Sequence, residues 1–62
     1  MYFRDVKKVL EKNGWVLVRT TGSHFQYKDP STGKMVTVPY HPGKDIAVGT
    51  LKSISKSTGL SF

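Results

Sequence analysis

Glycines and turn-forming residues cut this chain into five short segments, and each segment carries its own hydrophobic period. Phe3, Val6, Val9 and Leu10 recur at helical spacing, with Arg4, Lys7, Lys8, Glu11 and Lys12 on the other side, so Phe3 to Asn13 reads as a helix. Gly14 follows it, and glycine is the favoured left-handed residue just past a helix end. Trp15 to Thr20 reads as a strand, with Trp15 and Leu17 on one face and Val16 and Val18 on the other. Both of its faces are therefore apolar, which calls for a partner, a helix or an exposed valine. Thr21-Gly22-Ser23 is a turn. His24 to Lys28 is a second strand, with Phe25 and Tyr27 on one face and His24, Gln26 and Lys28 on the other.

Asp29-Pro30-Ser31-Thr32-Gly33 is a connection rich in turn formers. Lys34 to Pro39 is the third strand, with Val36 and Val38 inward and Met35 and Thr37 outward. Pro39 ends it, because proline has no N–H to donate. Tyr40 to Val48 is a loop holding His41-Pro42-Gly43. Gly49 to Thr58 is a second helix with Leu51 and Ile54 inward, and Gly59 stops it. The expected fold is α+β, in the order α-β-β-β-α. A three-stranded antiparallel sheet carries both helices on one face and leaves the other face open.

With 62 residues, positions 1–62 make a single domain. A domain this small buries only about 60% of the surface its unfolded chain exposes. No cysteine is present to staple it. A protein partner would supply the missing burial. The apolar runs are short and broken by charge, so no membrane span and no signal-peptide core are expected, and the expected location is the cytoplasm.

Ten Lys plus Arg against four Asp plus Glu give a formal charge of +6. Such a bias points to a polyanionic partner, with nucleic acid ahead of an anionic membrane or an acidic protein. The plainer reading is that Lys7, Lys8, Lys12, Lys52 and Lys56 are solvated helix faces.

Gly22-Ser23-His24 is the sharpest chemical feature. Alternation puts His24 on the polar strand face with Gln26 and Lys28. Gly22 permits an unusual backbone, and Ser23 adds a hydroxyl beside turn N–H groups that can cradle an anion. Imidazole is the usual proton shuttle near neutral pH. RNA carries its own nucleophile, the 2′-hydroxyl, so a protein cleaving it needs a base, a donor for the leaving 5′-oxygen and cations for the phosphorane charge. His24 fits base or acid, and Lys28 fits a phosphate contact. The competing reading of His24 is a surface histidine without a role. His41 reads as a second acid/base group, a phosphate contact or a loop-fixing residue. Lys44 and Lys52 read as phosphate contacts or as solvated charges. Tyr40 can stack on a base; Tyr27 shares the parity of Phe25 and reads as core. Asp5, Glu11, Asp29 and Asp45 are scattered, and two histidines alone do not make a zinc site, so no metal and no cofactor are expected.

The run Gly14-Trp15…Arg19…Gly22-Ser23-His24…Tyr27 resembles the front half of HicA toxins. Val36-Thr37-Val38-Pro39…His41…Lys44…Ile46…Gly49-Thr50-Leu51-Lys52-Ser53-Ile54…Gly59-Leu60 resembles the back half. The resemblance spans almost the whole chain in order and spacing. It implies a double-stranded-RNA-binding-domain-like fold and a toxin of a type II toxin–antitoxin module. It further implies a ribonuclease that cuts messenger RNA (an mRNA interferase), with His24 catalytic, Gly22 as the preceding family glycine, and a HicB-type antitoxin covering the site. The chain departs from many relatives at Phe25-Gln26-Tyr27, where a second histidine or a lysine is common.

Two other classes remain open at this level. A non-catalytic RNA-binding module would use the same fold and charge and leave the strand intact. A protein-interaction domain would direct its charge at an acidic partner and show no RNA affinity at physiological salt.

Overall fold

In a computed structural model describing residues 1–62, the elements are α1 (Phe3–Lys12), β1 (Val16–Thr21), β2 (His24–Lys28), β3 (Met35–Pro39) and α2 (Val48–Thr58). The order and types are those expected from the periodicity. The bounds move by at most one residue, for local reasons. The Trp15 N–H donates to the Leu10 carbonyl at 2.9 Å and the Gly14 N–H to Glu11 at 3.1 Å. This pair of bonds is a Schellman motif, with Gly14 at φ +87°. Trp15 is thus spent on closing α1, and β1 begins one residue later. At the other end of β1, Thr21 pairs with His24 and leaves Gly22-Ser23 as a two-residue hairpin loop. Gly22 has φ +57° while Ser23 does not have positive φ, the pattern of a type II′ turn.

The three strands form one antiparallel sheet in the order β1-β2-β3, so β2 is central. One face carries Tyr27, Phe25, Val36 and Val38. The core is built there: Phe3, Val6 and Leu10 from α1, Trp15, Tyr27, Val36, Val38, Ile46 and Ile54. Phe25, Leu51, Leu60 and Phe62 pack around it half-buried. Residues of both helices share this cluster, so both helices cover the same sheet face. The fold is the double-stranded-RNA-binding-domain-like α-β-β-β-α arrangement.

Strict alternation fails at one place. The β1–β2 register shifts between Leu17 and Arg19, so Val18 is an extra residue in β1. Such a bulge resets the phase of the strand. Leu17 stands opposite Tyr27 and Arg19 opposite Gln26. Without the bulge, Arg19 would follow Trp15 and Leu17 onto the core side. β1 is uncovered along its length: Val16, Leu17 and Val18 are each nearly half exposed.

A second tie joins the chain start to the loop before α2. Tyr2 bridges Asp45, the Ile46 N–H donates to the Met1 carbonyl at 2.8 Å, and the Met1 ammonium meets Asp45 Oδ1 at 2.7 Å. This draws Ile46, in the loop, into the core. No helix is long and apolar enough to cross a membrane.

Candidate functional site

The open sheet face presents three cross-strand rows. Thr21, His24 and Pro39 form the first, Arg19, Gln26 and Thr37 the second, Val16, Lys28 and Met35 the third. His24 is exposed at the start of the central strand, directly after the Gly22-Ser23 turn. Its placement follows from parity: Phe25 and Tyr27 must face the core, so His24 cannot. Gln26, two residues on, is clamped. Arg19 Nη2 and Nε both donate to its Oε1, at 2.9 and 3.3 Å. Arg19 therefore stands beside His24's row as a positioned cation, with three of its five donor hydrogens left for a ligand.

Lys28 shares the face of His24 but sits at the far end of β2. Four residues at about 3.3 Å each separate their backbones by roughly 13 Å. One phosphate cannot bridge the two; Lys28 reaches a more distant point on an extended strand. Val16 and Met35 flank it, both nearly half exposed, so its charge stands on an apolar shelf.

His41 comes close to the turn through the backbone. The Tyr40 N–H donates to the Ser23 carbonyl at 2.7 Å, continuing the β2–β3 ladder one step past Pro39. Tyr40, His41, Pro42 and Gly43 then line an open cleft against Tyr2, Phe3 and Arg4. Lys44 follows, exposed, its N–H donating to the His41 carbonyl at 3.1 Å. Lys52 is exposed on α2, in the helical layer rather than on the sheet face of His24. The structure thus gathers Gly22, Ser23, His24 and the His41 segment at one end of the sheet, leaves Lys28 at the other, and sets Lys52 behind it. Tyr27 is fully buried and so cannot stack on a base, while Tyr40 is exposed. No three of the His, Asp and Glu side chains converge on one point.

Arg19, Tyr2 and Arg4 carry no site role in the sequence reading, yet Arg19 stands on the open face and Tyr2 and Arg4 line the cleft. A charged residue at a core-parity position of an apolar strand was the available sign for Arg19, since an unpaired charge is not buried at low cost. Nothing local marks Tyr2 and Arg4, whose place depends on the bridge to Asp45.

Residues 3–60 match the family model described as the HicA toxin of bacterial toxin–antitoxin. No curated protein matches the chain.

Proposed function

This chain belongs to the HicA toxin family of bacterial toxin–antitoxin systems, and on that premise we propose that it is an endoribonuclease that cleaves messenger RNA without a metal and so stops translation. Membership alone makes it the toxin of a two-component module and implies an antitoxin partner. The finer reading rests on one observation: an exposed imidazole, His24, directly after a glycine-bearing turn on the open face of a sheet in a domain of charge +6.

The chemistry uses groups that RNA and protein already hold. The 2′-oxygen attacks the adjacent phosphorus, its proton passes to a base, and the P–O5′ bond breaks as the 5′-oxygen takes up a proton. The products are a 2′,3′-cyclic phosphate and a 5′-hydroxyl. His24 serves as base or acid in this transfer. The Gly22-Ser23 turn shapes the approach of the backbone. In this reading Arg19, one row along the open face, meets charge that develops on the phosphorane while His41 contacts a neighbouring phosphate, and charge stabilisation of this kind is a large part of phosphoryl-transfer catalysis. Lys28, Lys44 and Lys52 hold the rest of the polyanion. A HicB-type antitoxin neutralises the toxin by covering the His24 face, where Val16, Val18 and Met35 offer apolar area and the basic surface offers charge for an acidic partner.

The test is incubation of the purified protein with end-labelled messenger RNA in EDTA, beside a His24→Ala variant of unchanged circular dichroism. The expected result is cleavage by the parent alone, with cyclic-phosphate ends and no cleavage of DNA, which lacks the 2′-hydroxyl. Intact RNA with both proteins, together with a salt-sensitive mobility shift, would replace this reading with a non-catalytic RNA-binding module.

A further inference from the structure

The cleft between the start of α1 and the Tyr40–Gly43 loop has a chemistry of its own. Its lining is Tyr2, Phe3, Arg4, Tyr40, His41, Pro42 and Gly43, with no carboxylate among them. Two carboxylates stand beside it in the chain, and each accepts a hydrogen bond. Asp5 Oδ2 accepts from the Tyr2 N–H at 2.9 Å, and Asp45 holds the Met1 ammonium. Arg4 is exposed and takes part in neither ion pair of the chain.

The aromatic wall is held in place. The Tyr40 ring packs edge-on against Phe3, with centroids 4.8 Å apart, and tilted against Phe25 at 5.0 Å. Phe3 is itself buried in the core. Tyr40 nevertheless keeps 38% of its surface exposed, and Tyr2 keeps 43%. A part-exposed ring held in place, as Tyr40 is, makes a stacking platform that loses little entropy on binding. A guanidinium and an imidazole beside them suit a phosphate.

Position completes the argument. His24 pairs with Pro39, and Tyr40 is the next residue, bonded to Ser23. Cross-strand Cα partners lie about 5 Å apart. The cleft therefore opens at the His24 end of the sheet, on the helical side, while His24 faces the open side.

The geometry points to a nucleoside-binding cleft, in which one unpaired base of single-stranded RNA stacks on Tyr40 and Tyr2 while Arg4 and His41 hold its phosphate. This rests on the ribonuclease reading for the identity of the polymer. The base must be unpaired, because a base inside a duplex has no free face to offer the rings. A strand seated there passes round the end of the sheet to reach His24, so the cleft sets its register.

The experiment uses short 2′-O-methyl oligonucleotides, which cannot be cleaved by the 2′-hydroxyl route, with a fluorescent end label. An abasic site is stepped along the strand, and binding to the intact protein is followed by anisotropy. One abasic position is expected to weaken binding about ten-fold, the size of a lost base–aromatic stack. That penalty should shrink to near nothing in Tyr40→Leu and Tyr2→Leu variants whose thermal melts show them folded. Arg4→Gln should weaken every oligonucleotide alike. Equal binding at every abasic position, or a penalty that survives in the folded cleft variants, overturns the cleft. Cleavage of unmodified RNA is read in parallel. Cleavage without a base penalty removes the cleft and keeps the ribonuclease; a base penalty that the variants erase, without cleavage, does the reverse. No binding removes the cleft, and intact RNA beside it removes the ribonuclease as well.

Discussion

Arg19 and Gln26 face one another across the β1–β2 pair, with two guanidinium nitrogens donating to the single oxygen Gln26 Oε1. The contact exists because Val18 bulges out of β1 and turns the phase of the strand. It places a cation one row from His24 on the open face. Without the bulge the same guanidinium would point at the core.

Arg19→Ala is expected to leave stability within about 0.5 kcal/mol of the parent, as exposed positions usually do. RNA affinity should fall, and the slope of log affinity against log salt should shrink by about one contact. Anisotropy titrations at several salt concentrations measure this. An unchanged slope would take Arg19 out of the RNA surface.

The Gly22 backbone at φ +57° is strained for any residue with a Cβ, yet a Cβ there would meet nothing within 4 Å. Gly22→Ala should therefore cost about 1–2 kcal/mol from the backbone alone, with the fold kept. Urea denaturation of the two proteins gives the difference. A neutral outcome would mean that the hairpin relaxes to another turn.

Tyr27 is fully buried, and its hydroxyl has no hydrogen-bond partner. Burial holds that hydroxyl above the usual phenol range, and the charge of Glu11 adds to the effect. A polar atom left unpaired costs roughly 1–3 kcal/mol. Tyr27→Phe keeps the ring and removes the atom, so stability should stay level or rise by up to about 1 kcal/mol. A clear loss in the urea midpoint would contradict the orphaned hydroxyl.

Asp29 Oδ1 accepts from the Ser31 hydroxyl at 2.8 Å and the Ser31 N–H at 3.0 Å. These bonds hold the carboxyl below its ordinary value. A depressed folded-state pKa stabilises the fold above the unfolded value, about 3.9, and that contribution fades as pH falls through the lower folded value. The melting-temperature gap between the parent and Asp29→Ala should therefore be flat from neutral pH to about 5 and narrow below about 4. A gap that widened in acid would reverse the sign and rule out the assignment.

His24 shows how far local rules reach. Its strand face follows from Phe25 and Tyr27 alone, and its place beside a turn follows from Gly22. The helix at Phe3–Lys12 and its glycine stop were equally legible, because a 3.6-residue stripe and a left-handed cap are properties of neighbours in the chain. The role of His41 stayed open for the opposite reason: its surroundings come from α1, far away in sequence.

The sequence by itself determined the five elements, their turns, the core faces of α1, β2 and β3 and the open face that carries His24, since periodicity and turn chemistry act within a few residues. Only the tertiary structure decided the bulge at Val18, the Tyr40–Ser23 bond, the Tyr2–Asp45 bridge and the cleft that these create. Each depends on strand register or on contact between residues distant in the chain. Such choices are made by the packing of the whole domain, where a one-residue slip moves a side chain from the core to the surface.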